Sequence, residues 1–124
     1  MHAGSGRPIL VVDDAPSIRD AVATALRYEG FGVEEASDGM EALRAVSRCE
    51  PDLIVLDWKL PDLNGGEVSR RLREQGFKNA ILFMTADDSS EHPLEASQAG
   101  RYGYVTKPFS LAEIVSRVQA ILQP

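Results

Sequence analysis

Leu53-Ile54-Val55-Leu56-Asp57 is an unbroken apolar run that ends on a carboxylate, with Pro51-Asp52 before it. A short run of this kind marks a strand buried on both faces, because a half-exposed strand would alternate polar and apolar residues. Ile9-Leu10-Val11-Val12 leads into Asp13-Asp14 in the same way, and Ile81-Leu82-Phe83-Met84 leads into Thr85. These three segments are read as interior strands.

Helical patterns lie between them. Ile18, Ala21, Val22, Ala25 and Leu26 share one helical face, with Pro16 in the first turn and Gly30 at the stop. Val33-Glu34-Glu35-Ala36 is shorter and more polar, as an edge strand would be. Asp38 and Glu41 form a capping arrangement for a helix carrying Leu43 and Val46, which Pro51 ends. A third helix runs from about Gly65 to Glu74 and stops at Gly76. A weaker one covers Ser90–Ala99, with Pro93 in its first turn. Tyr104-Val105 marks a short fifth strand. Ser110 and Glu113 form a capping box for a last helix that buries Leu111, Ile114, Val115, Val118, Ile121 and Leu122.

Five βα units in succession predict an α/β fold, a parallel sheet with helices on both faces. The continuously apolar strands one, three and four are interior, and the mixed strands two and five are edges. That gives the doubly wound order 2-1-3-4-5.

The 124 residues fit one domain, read as 8–124 after a flexible leader over 1–7. A net charge of −6 argues against direct nucleic-acid binding, which needs clustered Lys and Arg. If nucleic acid is the eventual target, another domain or partner touches it. Cys49 stands alone, which excludes an internal disulfide and suits a reducing cytoplasm. No apolar run reaches membrane-span length, and the first residues lack the apolar core of a signal peptide. The expectation is a cytoplasmic protein.

In open α/β sheets ligands bind beyond the carboxyl ends of the strands. Those ends carry Asp13-Asp14, Asp57, Thr85 and, after strand five, Thr106-Lys107-Pro108. Taken singly, each has a plainer reading as a turn, a helix cap, a strand end or a solvated lysine. On neighbouring strands they converge. Two like charges about 4 Å apart repel by roughly 4 kcal/mol at an effective dielectric near 20. A hard cation with oxygen ligands relieves this, and Mg²⁺ fits. Such a cluster suits phosphoryl transfer, where positioning and charge neutralisation do most of the catalysis. Asp57 would attack phosphorus, Lys107 would neutralise oxygens, and Thr85 would donate a hydrogen bond.

From Pro8 to Leu122 the chain resembles the receiver domains of two-component response regulators, including the chemotaxis receivers. The segments that carry this are ILVVDDAPSIRDAVATALRYEGF, PDLIVLDWKLPDLNGGEV, ILFMTADD and YVTKPFSLAEIVSRVQAIL. The resemblance implies that Asp57 is the phosphoacceptor. It implies that Asp13 and Asp14 bind Mg²⁺, one directly and one through water, with the backbone carbonyl of Lys59 completing the protein ligands. Lys107 would pair with phosphoryl oxygens, beside a cis peptide before Pro108. Thr85 and Tyr104 would be the switch pair, although plain edge-strand packing is an equal reading for Tyr104. The phosphodonor would be a phosphohistidine on a sensor histidine kinase or phosphotransfer protein. Phosphate would shift a pre-existing equilibrium, and the Ser90–Ala99 helix, last strand and last helix would form the output face.

Gly100-Arg101-Tyr102-Gly103 departs from the Gly-Ala-Asp-Asp-like stretch of many members with DNA-binding output. Two carboxylates are lost there, which puts a homodimer through that face in doubt, and Pro93 shortens or loosens the preceding helix. Lys59 and Asp87 are candidates to pair across the site mouth and slow water attack; two independently solvated charges is an equal reading. Arg70, Arg71 and Arg73 read better as a solvated helix face than as a dock for an acidic partner. Trp58 is placed beside the site. The chain stops at Pro124, directly after the last helix, as a stand-alone receiver or the input half of a longer regulator with an output domain would.

Three competing functions are weaker. A Mg²⁺-dependent aspartate-nucleophile phosphohydrolase resembling the haloacid dehalogenases needs its second Asp two positions after the nucleophile, whereas Asp13 and Asp14 are adjacent. A flavin module needs a phosphate-cradling loop after strand one, where Asp13-Asp14 repels phosphate. A non-phosphorylated protein-binding receiver would not need all five site residues. The expected chemistry is at most self-phosphorylation and self-dephosphorylation through Asp57, without multiple turnover on external substrates.

Overall fold

Parallel strands cannot be joined by a tight turn, so the chain crosses back through helices. The computed structural model describes residues 6–86 and 102–122. In chain order these form β1 (Ile9–Val12), α1 (Pro16–Tyr28), β2 (Val33–Ala36), α2 (Gly39–Cys49), β3 (Leu53–Asp57), α3 (Gly65–Glu74), β4 (Ala80–Thr85), β5 (Tyr102–Thr106) and α4 (Leu111–Leu122). The helix expected over Ser90–Ala99 lies outside the described residues.

The five strands are parallel in the order β2-β1-β3-β4-β5. Alternate residues divide between two cores, as the period-2 geometry of a strand requires. Leu10, Val12, Ile54, Leu56, Ile81 and Phe83 face α2 and α3, against Leu43, Val46, Val68 and Leu72. Ile9, Val11, Leu53, Val55, Leu82 and Met84 face α1 and α4, against Val22, Leu26, Ile114 and Val118. Residues 9–12 and 53–57 are buried throughout, which explains their unbroken apolar character.

Helix ends follow the sequence signals. Pro16 opens α1, and Gly30 and Gly76 take positive φ after α1 and α3. Asp38 accepts the Glu41 N–H at 2.8 Å, while the Glu41 carboxylate accepts the Ser37 N–H at 2.7 Å. Ser110 Oγ accepts the Glu113 N–H at 3.0 Å. The fifth strand is longer than Tyr104-Val105, because Tyr102 and Gly103 pair with Ile81 and Leu82. Gly103 lies inside this strand. A Cβ there would sit 3.2 Å from Leu82 Cδ1, so glycine serves close packing within the strand.

Among the described residues no helix is long and apolar enough to cross a membrane. Ile54→Ala, at the centre of the sheet, should cost about 2–5 kcal/mol in urea unfolding. Tyr28→Ala, on a side chain 88% exposed, should stay within about 0.5 kcal/mol of the parent.

Candidate functional site

Because β1, β3, β4 and β5 are adjacent and in register, their carboxyl ends share one edge. Leu56 pairs with Val12, Asp57 with Met84, and Thr85 with Thr106. Asp13, Asp57, Thr85 and Lys107 therefore arrive together. Lys107 Nζ donates to Asp57 Oδ1 at 3.1 Å and lies 3.5 Å from Asp13 Oδ2. Asp13 is wholly buried and Asp57 is 5% exposed, while Asp14 is open to solvent. A carboxylate oxygen from each of the three lies within 4.8 Å of the others.

Burial and charge act against one another here. Burial, then the neighbouring Asp13 charge, pushes the Asp57 carboxyl up to about 6; Lys107 and the Lys59 N–H that Asp57 accepts pull the other way. Asp13 Oδ1 accepts the Ala15 N–H at 2.9 Å. Asp13 Oδ2 is buried without a hydrogen bond, and such a group costs free energy unless something satisfies it. A buried carboxylate oxygen that has an ion pair with Lys107 but no hydrogen bond, beside two more carboxylates, fits a hard divalent cation, and the all-oxygen donor set fits Mg²⁺ better than a softer metal.

Backbone contacts hold the walls. Trp58 donates its N–H to Met84 O at 2.9 Å, and Gly65 donates to Trp58 O at 2.6 Å. A Cβ on Gly65 would fall 3.0 Å from Trp58 Cα and 3.1 Å from Asp57 O, so α3 can start this close only from glycine. Lys59 is bridged to Asn64, which closes the loop between β3 and α3. Lys107 donates its N–H to Thr85 O at 2.6 Å, and the Lys107–Pro108 peptide is cis, as the resemblance implied.

Thr85 is buried at the end of β4. It follows Phe83 by two residues and so shares its face of the sheet. Tyr104, half-buried opposite Phe83 on β5, stacks on that ring at 5.3 Å between centroids and 20° between planes. Tyr102 stacks on Phe83 at 5.6 Å, and Trp58 meets it edge-on at 5.1 Å. Trp58 is thus beside the site through its backbone and in the core through its ring.

The three arginines on α3 separate into two kinds. Arg70 pairs with Glu67 and Glu74, and Arg71 with Glu67, on the helix surface. Arg73 instead lies over Tyr102, donates to its hydroxyl at 3.2 Å, and donates to the carbonyls of Phe77 and Asn79. Asp87, the expected partner of Lys59, lies outside the described residues.

Two residues escaped the sequence reading. Arg19 donates to the Asp13 carbonyl at 2.8 Å and pairs with Glu35 at 3.3 Å, steadying the turn that carries Asp13. Asp62 reaches across to the start of α2. A pair of charges on α1 and β2 hints at the first, but no local pattern announces the second.

Residues 9–119 match the model of the response regulator receiver domain family. The transcriptional regulatory protein TrcR of Mycobacterium tuberculosis is 43% identical over 125 residues, covering 99% of this chain and 49% of the relative. Response regulator MprA of Mycobacterium leprae is 43% identical over 115 residues, covering 93% and 50%. The chain spans about half the length of the curated relatives it matches. Among solved structures, the receiver domain of Francisella response regulator 1452 superposes with a TM-score of 0.83 at 33% identity, covering 94% of this chain and 97% of that one. Chemotaxis protein CheY4 of Vibrio cholerae gives 0.84 at 34% identity, covering 94% and 98%.

The raised Asp57 carboxyl has a definite sign in stability. An unfolded Asp titrates near 3.9, so between about pH 4 and about pH 6 the folded chain binds the extra proton. Stability therefore falls as pH rises through that window. Asp57→Asn, unfolded with urea in metal-free buffer, should be more stable than wild type by about 2–3 kcal/mol at pH 7.5. That gain should shrink toward zero near pH 4.

Proposed function

This chain belongs to the response regulator receiver domain family, and we propose that it is a phosphorylation-driven switch whose phosphoacceptor is the Asp57 carboxylate. The observation that carries the proposal is the buried Asp57–Lys107–Asp13 constellation, with one Asp13 oxygen lacking a hydrogen bond and Asp14 beside it. The carboxylates of Asp13, Asp14 and Asp57, with the backbone carbonyl of Lys59, would hold Mg²⁺. Bound Mg²⁺ would offset the carboxylate charge and that of the incoming phosphoryl oxygens.

The donor is a phosphohistidine on a sensor histidine kinase or phosphotransfer protein. An Asp57 oxygen attacks phosphorus as the phosphorus–nitrogen bond breaks; the donor ring, protonated on its other nitrogen, takes the bonding electron pair and leaves as neutral imidazole, with an acyl phosphate on Asp57. Lys107 holds a phosphoryl oxygen, and the Thr85 hydroxyl donates to another. That hydroxyl's movement frees Tyr104 to turn inward, favouring the active one of two pre-existing states. An apolar cavity of about 550 Å³ beside Lys107, lined by Ile18, Ala21, Phe109 and Leu111 among others, supports docking of a donor helix there.

The signal leaves through β5, α4 and the Ser90–Ala99 segment, toward an output domain or a second copy. Residues 8–124 act as the receiver unit, preceded by a leader over 1–7, in the cytoplasm. Relatives of about twice the length, one of them named a transcriptional regulatory protein, support an output domain in a longer protein.

Acetyl phosphate with Mg²⁺ should add one phosphoryl group per wild-type chain, read by mass spectrometry. Chelating the metal or substituting Asp57→Asn should abolish the adduct. Lys107→Ala should slow its formation by about 10²-fold. Phosphorylation of Asp57→Asn at the wild-type rate, or sustained turnover of p-nitrophenyl phosphate, would refute the proposal.

A further inference from the structure

Asp62 lies in the loop between β3 and α3 but spends its carboxylate on α2. Its Oδ1 accepts the Gly39 N–H at 2.8 Å and the Leu63 N–H at 2.8 Å, and its Oδ2 accepts the Met40 N–H at 2.9 Å. Gly39 and Met40 are the first two residues of α2, whose own cap, Asp38, already takes the Glu41 N–H at 2.8 Å. Two carboxylates thus serve one helix start, and one of them belongs to a segment more than twenty residues away. Burial raises the Asp62 carboxyl, but the N–H groups of Met40, Gly39 and Leu63 outweigh it and hold the group below its ordinary value.

The helix has a cap without Asp62, so the larger consequence falls on the loop. Close approach is built in. A Cβ on Gly39 would lie 3.0 Å from Leu63 Cβ and 3.1 Å from Asp62 Oδ1. The loop's base is closed by Gly65 N–H to Trp58 O and by the Lys59–Asn64 bridge. At that base Lys59 gives its N–H to the Asp57 carboxylate. Only Leu60 and Pro61 separate Lys59 from the anchor, and the proline ring stiffens the link.

We propose that Asp62 is a positioning residue for the metal site: by tying the loop tip to the start of α2, it fixes the Lys59 backbone against the Asp57 carboxylate. This rests on the reading that Asp13, Asp14, Asp57 and the Lys59 carbonyl take Mg²⁺. The anchor touches no metal, so its effect travels through a loop of fixed length. Residues that orient a metal ligand from outside the coordination shell commonly change affinity by about 10–100-fold, and this indirect one belongs at the low end.

The test compares wild type, Asp62→Ala, Asp62→Asn and Asp38→Ala, with Mg²⁺ affinity read from Trp58 fluorescence and from the metal-dependent rise in thermal midpoint. Amide exchange at Lys59 is followed in metal-free protein. Asp62→Ala should weaken Mg²⁺ binding by about 10-fold and speed Lys59 exchange. Asp62→Asn, which keeps one acceptor oxygen, should fall between. Asp38→Ala removes the helix's own cap and should leave both readouts near wild type, which separates positioning from a general loss of helix stability. Wild-type affinity and exchange in folded Asp62→Ala, or equal losses in Asp38→Ala, would overturn the inference. A wild-type protein that takes no Mg²⁺ would instead remove the metal reading, leaving the Lys59 exchange to decide whether Asp62 holds the loop.

Discussion

Two carboxylates, Asp13 and Asp57, are buried at the ends of adjacent strands with one ammonium, Lys107, between them. The site's arrangement depends on tolerating that crowding. Like charges in a medium of low polarity favour protonation or separation, and the strong parallel pairing of β1 with β3 allows no separation. Lys107 offsets part of the repulsion and burial sharpens the rest. The cluster therefore keeps a standing preference for positive charge at one spot on the sheet edge. That electrostatic demand supports the proposed cation site.

Rigidity around the cluster comes mostly from backbone groups. Trp58, Gly65, Lys59 and Lys107 are each tied through main-chain atoms. Such ties tolerate changes of side chain but not of loop length or of the glycines that permit close approach. Arg19 and Asp62 are the side chains that extend this frame outward, one to β2 through Glu35 and the other to α2. Away from the site, Tyr102 replaces an acidic residue expected from the family resemblance. It turns its hydroxyl to Ser69, at 2.8 Å, and to Arg73, which binds β5 to α3.

Much of the fold was legible because its strands are buried on two faces. Unbroken apolar runs at 9–12, 53–56 and 81–84 placed three strands, and polar β2 declared itself an edge. The beginning of β5 was harder to read, since Tyr102-Gly103 resembles a turn and becomes strand through pairing with Ile81 and Leu82. The convergence of Asp13, Asp14, Asp57 and Lys107 followed from topology alone, because each stands just past a strand whose neighbours were predictable. Arg73 was grouped with its surface neighbours because helical spacing cannot show that a ring from β5 lies beneath it. Asp62 was hidden for a similar reason: a cap supplied across 22 or 23 residues has no local spacing.

Phe83 touches Tyr102 and Tyr104 face to face and Trp58 at its edge. In a close-packed interior, a ring that leaves such a stack opens a void its neighbours must fill or abandon. Intermediate postures of Tyr104 would lose contact on one side without gaining it on the other. If Tyr104 is the switch ring proposed above, this stack would favour discrete placements of that ring over intermediate ones.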